Sequence, residues 1–461
     1  MVLALKPYTT LLRGLAAVKI VPGDSKTAQF QKNNLTGRPR VERIGPKKNL
    51  FVNGTMSNRT QALKVVRRLH EEGYQALFAG GCVRDYLLGR RPKDYDVVTN
   101  AKPEEIISLF RKTLKIGARF GVVIVLLDGK QVEAATFRSE GNYKDGRHPE
   151  QVEFTTAKED AFRRDFTING MFYDPIDEKI LDFVGGQEDL KKGILRTIGN
   201  PDERFSEDYL RLLRAIRFAV QLNFTIEDKT WQSICVHAPK IRHISPERIA
   251  MELEGLLTHS NRAVGGRLLA DSGLAEVIFS GFNREQVHFG TEMLKYLPVA
   301  ADFALTLSAF WGAVPLQQAL EWAKFLRLSN SRIKHICFLL EKRDILLDEN
   351  LSLAKLKMLL SEPYWEDLVH LQKAIQKTRG QSTAPLKAIQ KRTAALKGQV
   401  LRPKPLLDGH QLLALGAVPG PMVGQLAREL YIAQLAEEIQ TVEQAKHWAA
   451  EWLKKHTPKF E

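Results

Sequence analysis

Asp94 and Asp96 stand two residues apart in Lys93-Asp94-Tyr95-Asp96-Val97-Val98, a stretch whose valines mark it as a strand. Side chains alternate along a strand, so residues two apart share a face. Paired carboxylates on one face suit hard divalent cations, Mg²⁺ above all. In two-metal chemistry such a pair holds the ions that activate an attacking hydroxyl and neutralise a triphosphate. Immediately upstream lies Leu77-Phe78-Ala79-Gly80-Gly81-Cys82-Val83-Arg84. Leu77–Ala79 read as the end of a buried strand. Gly80 and Gly81 then let the backbone turn, leaving N–H groups free at the start of a short helix that carries Arg84. Such donors, with an arginine, make a seat for phosphate. An isolated Asp-x-Asp or Gly-Gly is ordinarily only a turn, and it is their adjacency that gives the stretch weight. The chain has neither Gly-x-x-x-x-Gly-Lys-Ser/Thr nor Gly-x-Gly-x-x-Gly, so the usual ATPase and dehydrogenase readings lose support.

Gly80-Gly81-Cys82-Val83-Arg84-Asp85 followed by Lys93-Asp94-Tyr95-Asp96-Val97 resembles the head motif of the bacterial-type (class II) tRNA nucleotidyltransferase and poly(A) polymerase family. That resemblance implies template-independent addition of nucleotides to RNA 3′ ends. Further segments match in the family's order. Glu133-Ala134-Ala135-Thr136-Phe137-Arg138 is similar to a strand whose glutamate is the third carboxylate beside the aspartate pair. Arg163-Arg164-Asp165-Phe166-Thr167-Ile168-Asn169, expected on a helix, resembles the motif in which the arginine at the position of Arg164 reaches the nucleotide phosphates. Residues 139–150 have loop composition throughout and fall where the family has a flexible loop that assists the change from C to A addition.

The next constellation is Glu207-Asp208-Tyr209-Leu210-Arg211-Leu212-Leu213-Arg214-Ala215-Ile216-Arg217-Phe218. At helical period its charges gather on one half of the cylinder, opposite Leu210, Leu213 and Ile216. Asp208 and Arg211, three apart, are surface neighbours that could form an ordinary ion pair. A carboxylate accepts and a guanidinium donates, so the same two residues can address the Watson–Crick edge of a base. The match to the family's Glu-Asp-x-x-Arg implies the second role, selection of CTP and ATP, with Arg214 and Arg217 following at the expected places. By the same resemblance Asp94, Asp96 and Glu133 are the catalytic carboxylates, the aspartates holding Mg²⁺. Gly80, Gly81, Arg84 and Arg164 belong to the triphosphate site.

The elements that must position these residues succeed one another along the chain. The fold expected is α+β: a nucleotidyltransferase α/β head over residues 57–195, then an all-α neck (196–258), body (259–400) and tail (401–461). Thr60–His70 reads as an amphipathic helix, residues 102–110 as a helix capped by Asn100, and residues 122–127 and 132–137 as strands. Ser245-Pro246 opens another helix, with serine as cap and proline at the first position. Residues 1–56 are basic, with Asp24 and Glu42 the only acids, and read as a disordered extension; translation starting at Met56 is an alternative.

With 461 residues the chain exceeds one ordinary core, and its formal charge of +15 calls for a polyanionic partner, nucleic acid first. No acid occurs from Leu368 to Leu407, where nine lysines and arginines stand, as expected of a surface that touches RNA backbone. Cys82, Cys235 and Cys337 form no Cys-x-x-Cys pair, which points to a reducing, cytoplasmic compartment and away from zinc or disulfide frameworks. No apolar run is long enough for a membrane span. The expectation is a CCA-adding enzyme acting on tRNA with CTP and ATP. A poly(A) polymerase, a partial CC- or A-adding enzyme and a catalytically silent RNA-binding protein on the same scaffold are the alternatives. The apolar segment Gly117–Ile124 and the Leu407–Leu412 tail pattern favour the tRNA enzyme.

Overall fold

The computed structural model describes residues 57–115, 120–140 and 152–456. The basic extension, residues 116–119 of the Gly117–Ile124 segment and most of the 139–150 loop therefore lie outside the described residues. Ser139 and Glu140, expected in that loop, end a short strand instead.

Helix α1 (Asn58–Glu71) starts where Ser57 accepts the N–H of Thr60, and it buries Val65, Val66 and Leu69 at helical spacing. Strand β1 (Ala76–Ala79) leads through the Gly80 turn into α2 (Gly81–Leu87), and β2 (Asp96–Thr99) follows. Next come α3 (Pro103–Leu109), β3 (Thr113–Leu114), β4 (Val122–Leu127), β5 (Lys130–Thr136), β6 (Arg138–Glu140) and β7 (Val152–Phe154). After α4 (Ala157–Phe162) come β8 (Phe172–Asp174), β9 (Lys179–Leu181) and α5 (Gly186–Lys192). Seven strands form one sheet in the order β3-β4-β5-β2-β1-β8-β9, parallel only between β2 and β5. Asn100 does not cap α3. Its Oδ1 accepts from the N–H of Gln75, and Glu105 takes the N–H of Lys102 at 2.6 Å instead.

Alternation sorts β1 between two layers. Ala76 and Phe78 join the main core with α1, whereas Leu77 and Ala79 join a smaller one with Val98, Phe137, Ala157, Ala161 and Phe172. Both faces of β1 are thus dry, and exposure begins beside it at Asp96 of β2 and at Glu133 within β5.

A two-stranded parallel pair, β10 (Ile194–Leu195) and β11 (Thr225–Ile226), joins the head to the neck. The neck is therefore not purely helical; a two-residue strand is too short to leave a periodic trace. Its helices are α6 (Pro201–Glu207), α7 (Leu210–Leu222), α8 (Asp228–His237) and α9 (Pro246–Leu257). Ser245 and Pro246 occupy the expected positions at the start of α9, although the serine side chain makes no capping bond.

From residue 258 on the described chain is helical. It contains α10 (Arg262–Asp271), α11 (Leu274–Ile278), α12 (Arg284–Leu294), α13 (Phe303–Phe310), α14 (Leu316–Phe325), α15 (Asn330–Lys342), α16 (Leu353–Leu360) and α17 (Trp365–Thr378). The last four are α18 (Ala384–Ala394), α19 (Gly409–Ala414), α20 (Pro421–Leu435) and α21 (Val442–His456). Phe279, Phe282, Phe310, Trp311 and Trp322 pack edge-on or tilted with centroids 5.1–6.3 Å apart, a geometry worth ~0.5–1.5 kcal/mol per pair beyond burial. At Gly290 helix α12 comes so close to α13 that a Cβ would stand 1.9 Å from the carbonyl oxygen of Phe310. Residues 407–453 have a hydrophobic cluster of their own, and Lys357 on α16 reaches Glu437 beyond α20 at 2.6 Å.

Candidate active site

Strand pairing gathers the sheet's carboxylates. Ala79 at the end of β1 faces Asp96 at the start of β2. On the other side Val97 pairs with Ala134 of β5, so Asp96 and Glu133 are neighbours one step before that pair. Asp96 shares a face with Val98, and Glu133 with Ala135, and both of those pack on the α4 side of the sheet. Val132 and Ala134 beside Glu133 are buried while the glutamate is exposed. Asp94 lies on the approach to β2 rather than within it, because the regular strand begins at Asp96.

Electrostatics mark these residues as a set. The surrounding protein desolvates Asp96 and raises its carboxyl above the ordinary range; Asp94 pushes the same way, while Arg164 pulls it down. Glu133 is raised by desolvation and then by Asp96. Two carboxylates that resist ionising beside one another are what a hard cation relieves. The oxygens do not converge on one point: among the described residues, these three carboxylates are not a group whose ligand atoms all lie within 4.8 Å of one another. Cys82 beside them is inert. Burial, then Asp96, pushes its thiol up to about 12, and its Sγ donates to the Ala79 carbonyl at 3.2 Å.

The turn after β1 brings the arginines in. Gly80 takes φ +71°, a left-handed conformation that glycine adopts without penalty, and a Cβ there would sit 3.1 Å from Nη1 of Arg164. Neither Arg84 nor Arg164 stands alone. Arg84 donates to Asp85 at 2.9 Å and to Asn169 at 2.8 Å, and Arg164 donates twice to Asp160 at 3.1 and 2.9 Å. Arg163 and Arg164 are not on a helix: α4 ends at Phe162, and a single 3₁₀ turn, Thr167–Asn169, follows. Asp165 ends the run of backbone bonds by taking the N–H of Phe166 at 2.8 Å and the amide of Asn169 at 3.1 Å.

Helix α7 is stitched to this loop. Arg214 forks onto Asp165 with bonds of 3.0 and 2.7 Å, and Arg217 donates to Glu252 at 2.6 Å. Burial alone would raise Asp165, but Arg214 outweighs it and holds the carboxyl below its usual range; Arg164 and Arg163 do the same for fully buried Asp160. The ring of Phe218 on α7 receives Arg84, Arg214 and Arg217 at 5.3, 5.2 and 4.3 Å, cation–π contacts that tie the head to the neck.

The expected continuous helix through Glu207–Phe218 is interrupted. Helix α6 stops at Glu207, Asp208 is extended at φ −152° and ψ 103°, and α7 begins at Leu210. Asp208 and Arg211 consequently form no ion pair with each other. Asp208 takes the N–H of Leu210 at 3.0 Å and the forked guanidinium of Arg248 at 3.3 and 2.7 Å. Arg211 binds Glu207 and donates to the carbonyls of Arg204 at 2.8 Å and Arg163 at 3.4 Å. Sequence reasoning does not single out Asp160, Asp165, Phe218, Arg248 or Glu252. Asp165 and Phe218 sit inside the matched segments, where an acid beside two arginines is the available signal, and Arg248 lies in the first turn of the helix that Ser245-Pro246 opens.

Of the acid-free basic stretch, Lys373, Lys387, Lys391, Lys397 and Lys404 are exposed. Arg379 pairs with Asp344, Arg402 with Glu362, Lys377 lies over Tyr296, and Arg392 donates to the carbonyls of Glu349 and Leu351. Those four have partners within the protein, although Lys377, Arg379 and Arg402 are exposed as well.

Comparison with known proteins places these features. Residues 76–196 match the family described as Poly A polymerase head domain, and residues 223–285 the one described as Probable RNA and SrmB- binding site of polymerase A. The CCA-adding enzyme of Geobacillus thermodenitrificans is 45% identical over 216 residues, 47% of this chain and 53% of that protein, so the chain spans about half the length of that relative. The CCA-adding enzyme of Anoxybacillus flavithermus is 33% identical over 392 residues, 84% of this chain and 96% of the relative. The crystal structure of the Bacillus stearothermophilus CCA-adding enzyme in complex with CTP superposes with a TM-score of 0.70 at 28% identity, covering 86% of this chain and 98% of that one.

Proposed function

The chain belongs to the CCA-adding enzyme family, and on that premise we propose that it adds C, C and A to the 3′ end of tRNA from CTP and ATP, releasing pyrophosphate. The observation that carries this reading is the junction of two sites. The Gly80 turn and the Asp96–Glu133 pair lie beside Arg164, whose loop is bonded to α7, the helix that carries Arg211 and follows Asp208.

Each residue has a task in that reaction. The RNA 3′-hydroxyl attacks the α-phosphorus, and the bond to pyrophosphate breaks. Divalent ions, for which we propose Mg²⁺, would neutralise the triphosphate and favour the alkoxide; Asp94 and Asp96 would hold them, with Glu133 as third carboxylate. The all-oxygen donor set and its raised carboxyls suit a hard cation. Backbone N–H groups after Gly80 and Gly81, with Arg84 and Arg164, steady the phosphates. Arg214 and Arg217, proposed for the nucleotide as well, also position α7 through Asp165 and Glu252.

Asp208 is the base reader. Its two oxygens have about four acceptor sites, of which Arg248 and the Leu210 N–H take three. A carboxylate accepts from the exocyclic amine that cytosine and adenine share, whereas guanine and uracil present a carbonyl at that position. One fixed acceptor thus admits CTP and ATP and rejects GTP and UTP. Arg211 complements it as donor. The exposed lysines of the body supply backbone contacts to tRNA, and the three scattered cysteines fit the cytoplasm. The division into head (57–195), neck (196–258), body (259–400) and tail (401–461) belongs to the same reading.

The test uses tRNA transcripts ending before CCA, after C and after CC, each with CTP, ATP or both. The expected products stop at CCA. Long A tails on unrelated RNA from ATP alone would transfer the protein to poly(A) polymerase activity.

A further inference from the structure

The body carries a second group of ligand-type side chains, remote in sequence from every residue given a role above. Asp302, His335 and Asp367 each bring one ligand atom within 4.8 Å of the others. Three helices supply them: Asp302 caps α13, His335 lies mid-way along α15, and Asp367 is in the first turn of α17.

His335 is only 7% exposed. Tyr364 stacks on its ring at 4.1 Å and 13°, which fixes the imidazole plane. Asp302 spends Oδ1 on the N–H of Leu305, and its Oδ2 lies 3.6 Å from Nδ1 of the histidine. On the opposite edge Nε2 stands 3.1 Å from Oδ2 of Asp367 yet makes no hydrogen bond. That combination is informative. A buried imidazole nitrogen 3.1 Å from a carboxylate oxygen, with no hydrogen bond between them, is left unsatisfied. Two atoms bound tetrahedrally to one ion at ~2.0–2.1 Å are roughly 3.3 Å apart without pointing at each other. Among the described residues no lysine or arginine pairs with either aspartate, and Arg332, one turn before His335, is committed to Glu254 and Phe303. Among the described residues the histidine between them is thus the sole basic group beside the two carboxylates, and its Nε2 is unsatisfied.

We propose that this cluster binds a divalent transition-metal ion of the Zn²⁺ class. Nε2 of His335 and Oδ2 of Asp367 are the direct ligands, and solvent completes the sphere through the open Asp367 side. On metal binding Asp302, whose Oδ2 lies 3.6 Å from Nδ1, closes on the Nδ1–H and so sets the tautomer that leaves Nε2 free to bind, the role of an outer carboxylate on a metal-bound histidine. Mixed nitrogen and oxygen donors favour such an ion over Mg²⁺. Bound there, it clips α13, α15 and α17 together in the body, apart from nucleotide addition, and the site stands whether or not that activity is found.

The full-length protein, stripped with chelator, is titrated with Zn²⁺ by calorimetry and with Co²⁺ by visible absorption. Wild type and Asp96→Asn are compared so that ions held at the sheet carboxylates are counted separately. One equivalent that persists in Asp96→Asn is expected. It is lost in His335→Gln and in Asp367→Asn, the latter a partly exposed position that keeps the fold. In Asp302→Asn, where asparagine still caps the helix, affinity falls ~10–100-fold. Zn²⁺ raises Tm in wild type and in neither ligand variant. Absence of Zn²⁺ binding in wild type, or unchanged binding in His335→Gln and Asp367→Asn, would overturn the assignment.

Discussion

Replacing Arg248 by alanine frees Asp208 from its forked partner while leaving the carboxylate in place. The pair is partly buried, with side-chain exposures of 24% and 18%. Its loss therefore falls between an exposed pair, worth ~0.2–1 kcal/mol, and a fully buried one, whose breaking costs ~3–5 kcal/mol. A value of about 2 kcal/mol is expected, read as a modest drop in thermal stability. The effect on selection is separate. A carboxylate no longer aimed by two guanidinium bonds loses its directed acceptance from the exocyclic amine, a charge-assisted bond worth ~1.5–3 kcal/mol, or roughly 10- to 150-fold in relative kcat/KM. The ratios for CTP over UTP and ATP over GTP should fall by that order. Arg248→Lys should fall between, since an ammonium keeps the charge and loses the fork. Asp208→Asn gives the sharpest arm: its amide can donate to the carbonyl of uracil or guanine, so preference should move towards UTP and GTP. Steady-state kinetics with each nucleotide, run beside thermal unfolding, separate the two effects. If Arg248→Ala and Asp208→Asn lowered Tm but left every nucleotide ratio at the wild-type value, Asp208 would be a helix-junction residue only, and base choice would lie elsewhere.

Asp165→Ala leaves Arg214 without its forked acceptor at the head–neck seam; the expected loss is ~2–4 kcal/mol by denaturant unfolding, and a loss under ~0.5 would show the stitch to be dispensable. In acid the sign follows from the lowered carboxyls of Asp160 and Asp165. Their stabilisation is present above the ordinary aspartate range and is lost as pH falls through their depressed folded values, so wild type should lose stability below about pH 4 more steeply than Asp165→Asn. Asp96 and Glu133 titrate the other way, with raised carboxyls whose protons compete with metal. Activating Mg²⁺ should bind progressively more weakly as pH is lowered towards their range, starting above the ordinary carboxylate values, and a metal affinity flat to about pH 4 would contradict this. Gly80→Ala combines a strained φ with displacement of Arg164 and should lower kcat/KM for CTP at least tenfold with little change in tRNA binding, as measured by filter retention.

Much of this site could be read from residue types and spacing because its strands and first helix obey simple periods. Val65, Val66 and Leu69 mark α1, and alternation around Glu133 marks β5 with its carboxylate outward. The junction at Asp208 could not. No glycine or proline marks it, and charges spaced three and four apart imitate an unbroken helix. What breaks it is tertiary: Arg248, forty residues downstream, draws the carboxylate away from the helix axis while the same oxygens take the Leu210 N–H. The helix expected at Arg163 and Arg164 fails for a similar reason, because the buried Asp160 and Asp165 that organise them act through contacts invisible to local pattern. Composition locates the basic stretch of the body, yet only side-chain contacts show which of its basic residues, Arg379, Arg392 and Arg402 among them, already have partners within the protein.

The arginines proposed for the phosphate seat are each already answered by a carboxylate: Arg84 by Asp85 and Arg164 by Asp160. A chain carrying +15 could have left them bare and gripped a polyphosphate hard. Paired, they offer hydrogen-bond direction with less net charge than bare guanidiniums, so in the proposed reaction departing pyrophosphate would meet weaker retention. Affinity shared equally by reactant and leaving group would slow each cycle at the exit without speeding the bond-making step. An enzyme that must repeat the step on one short substrate gains from that leniency, because the seat has to empty before the next nucleotide can enter.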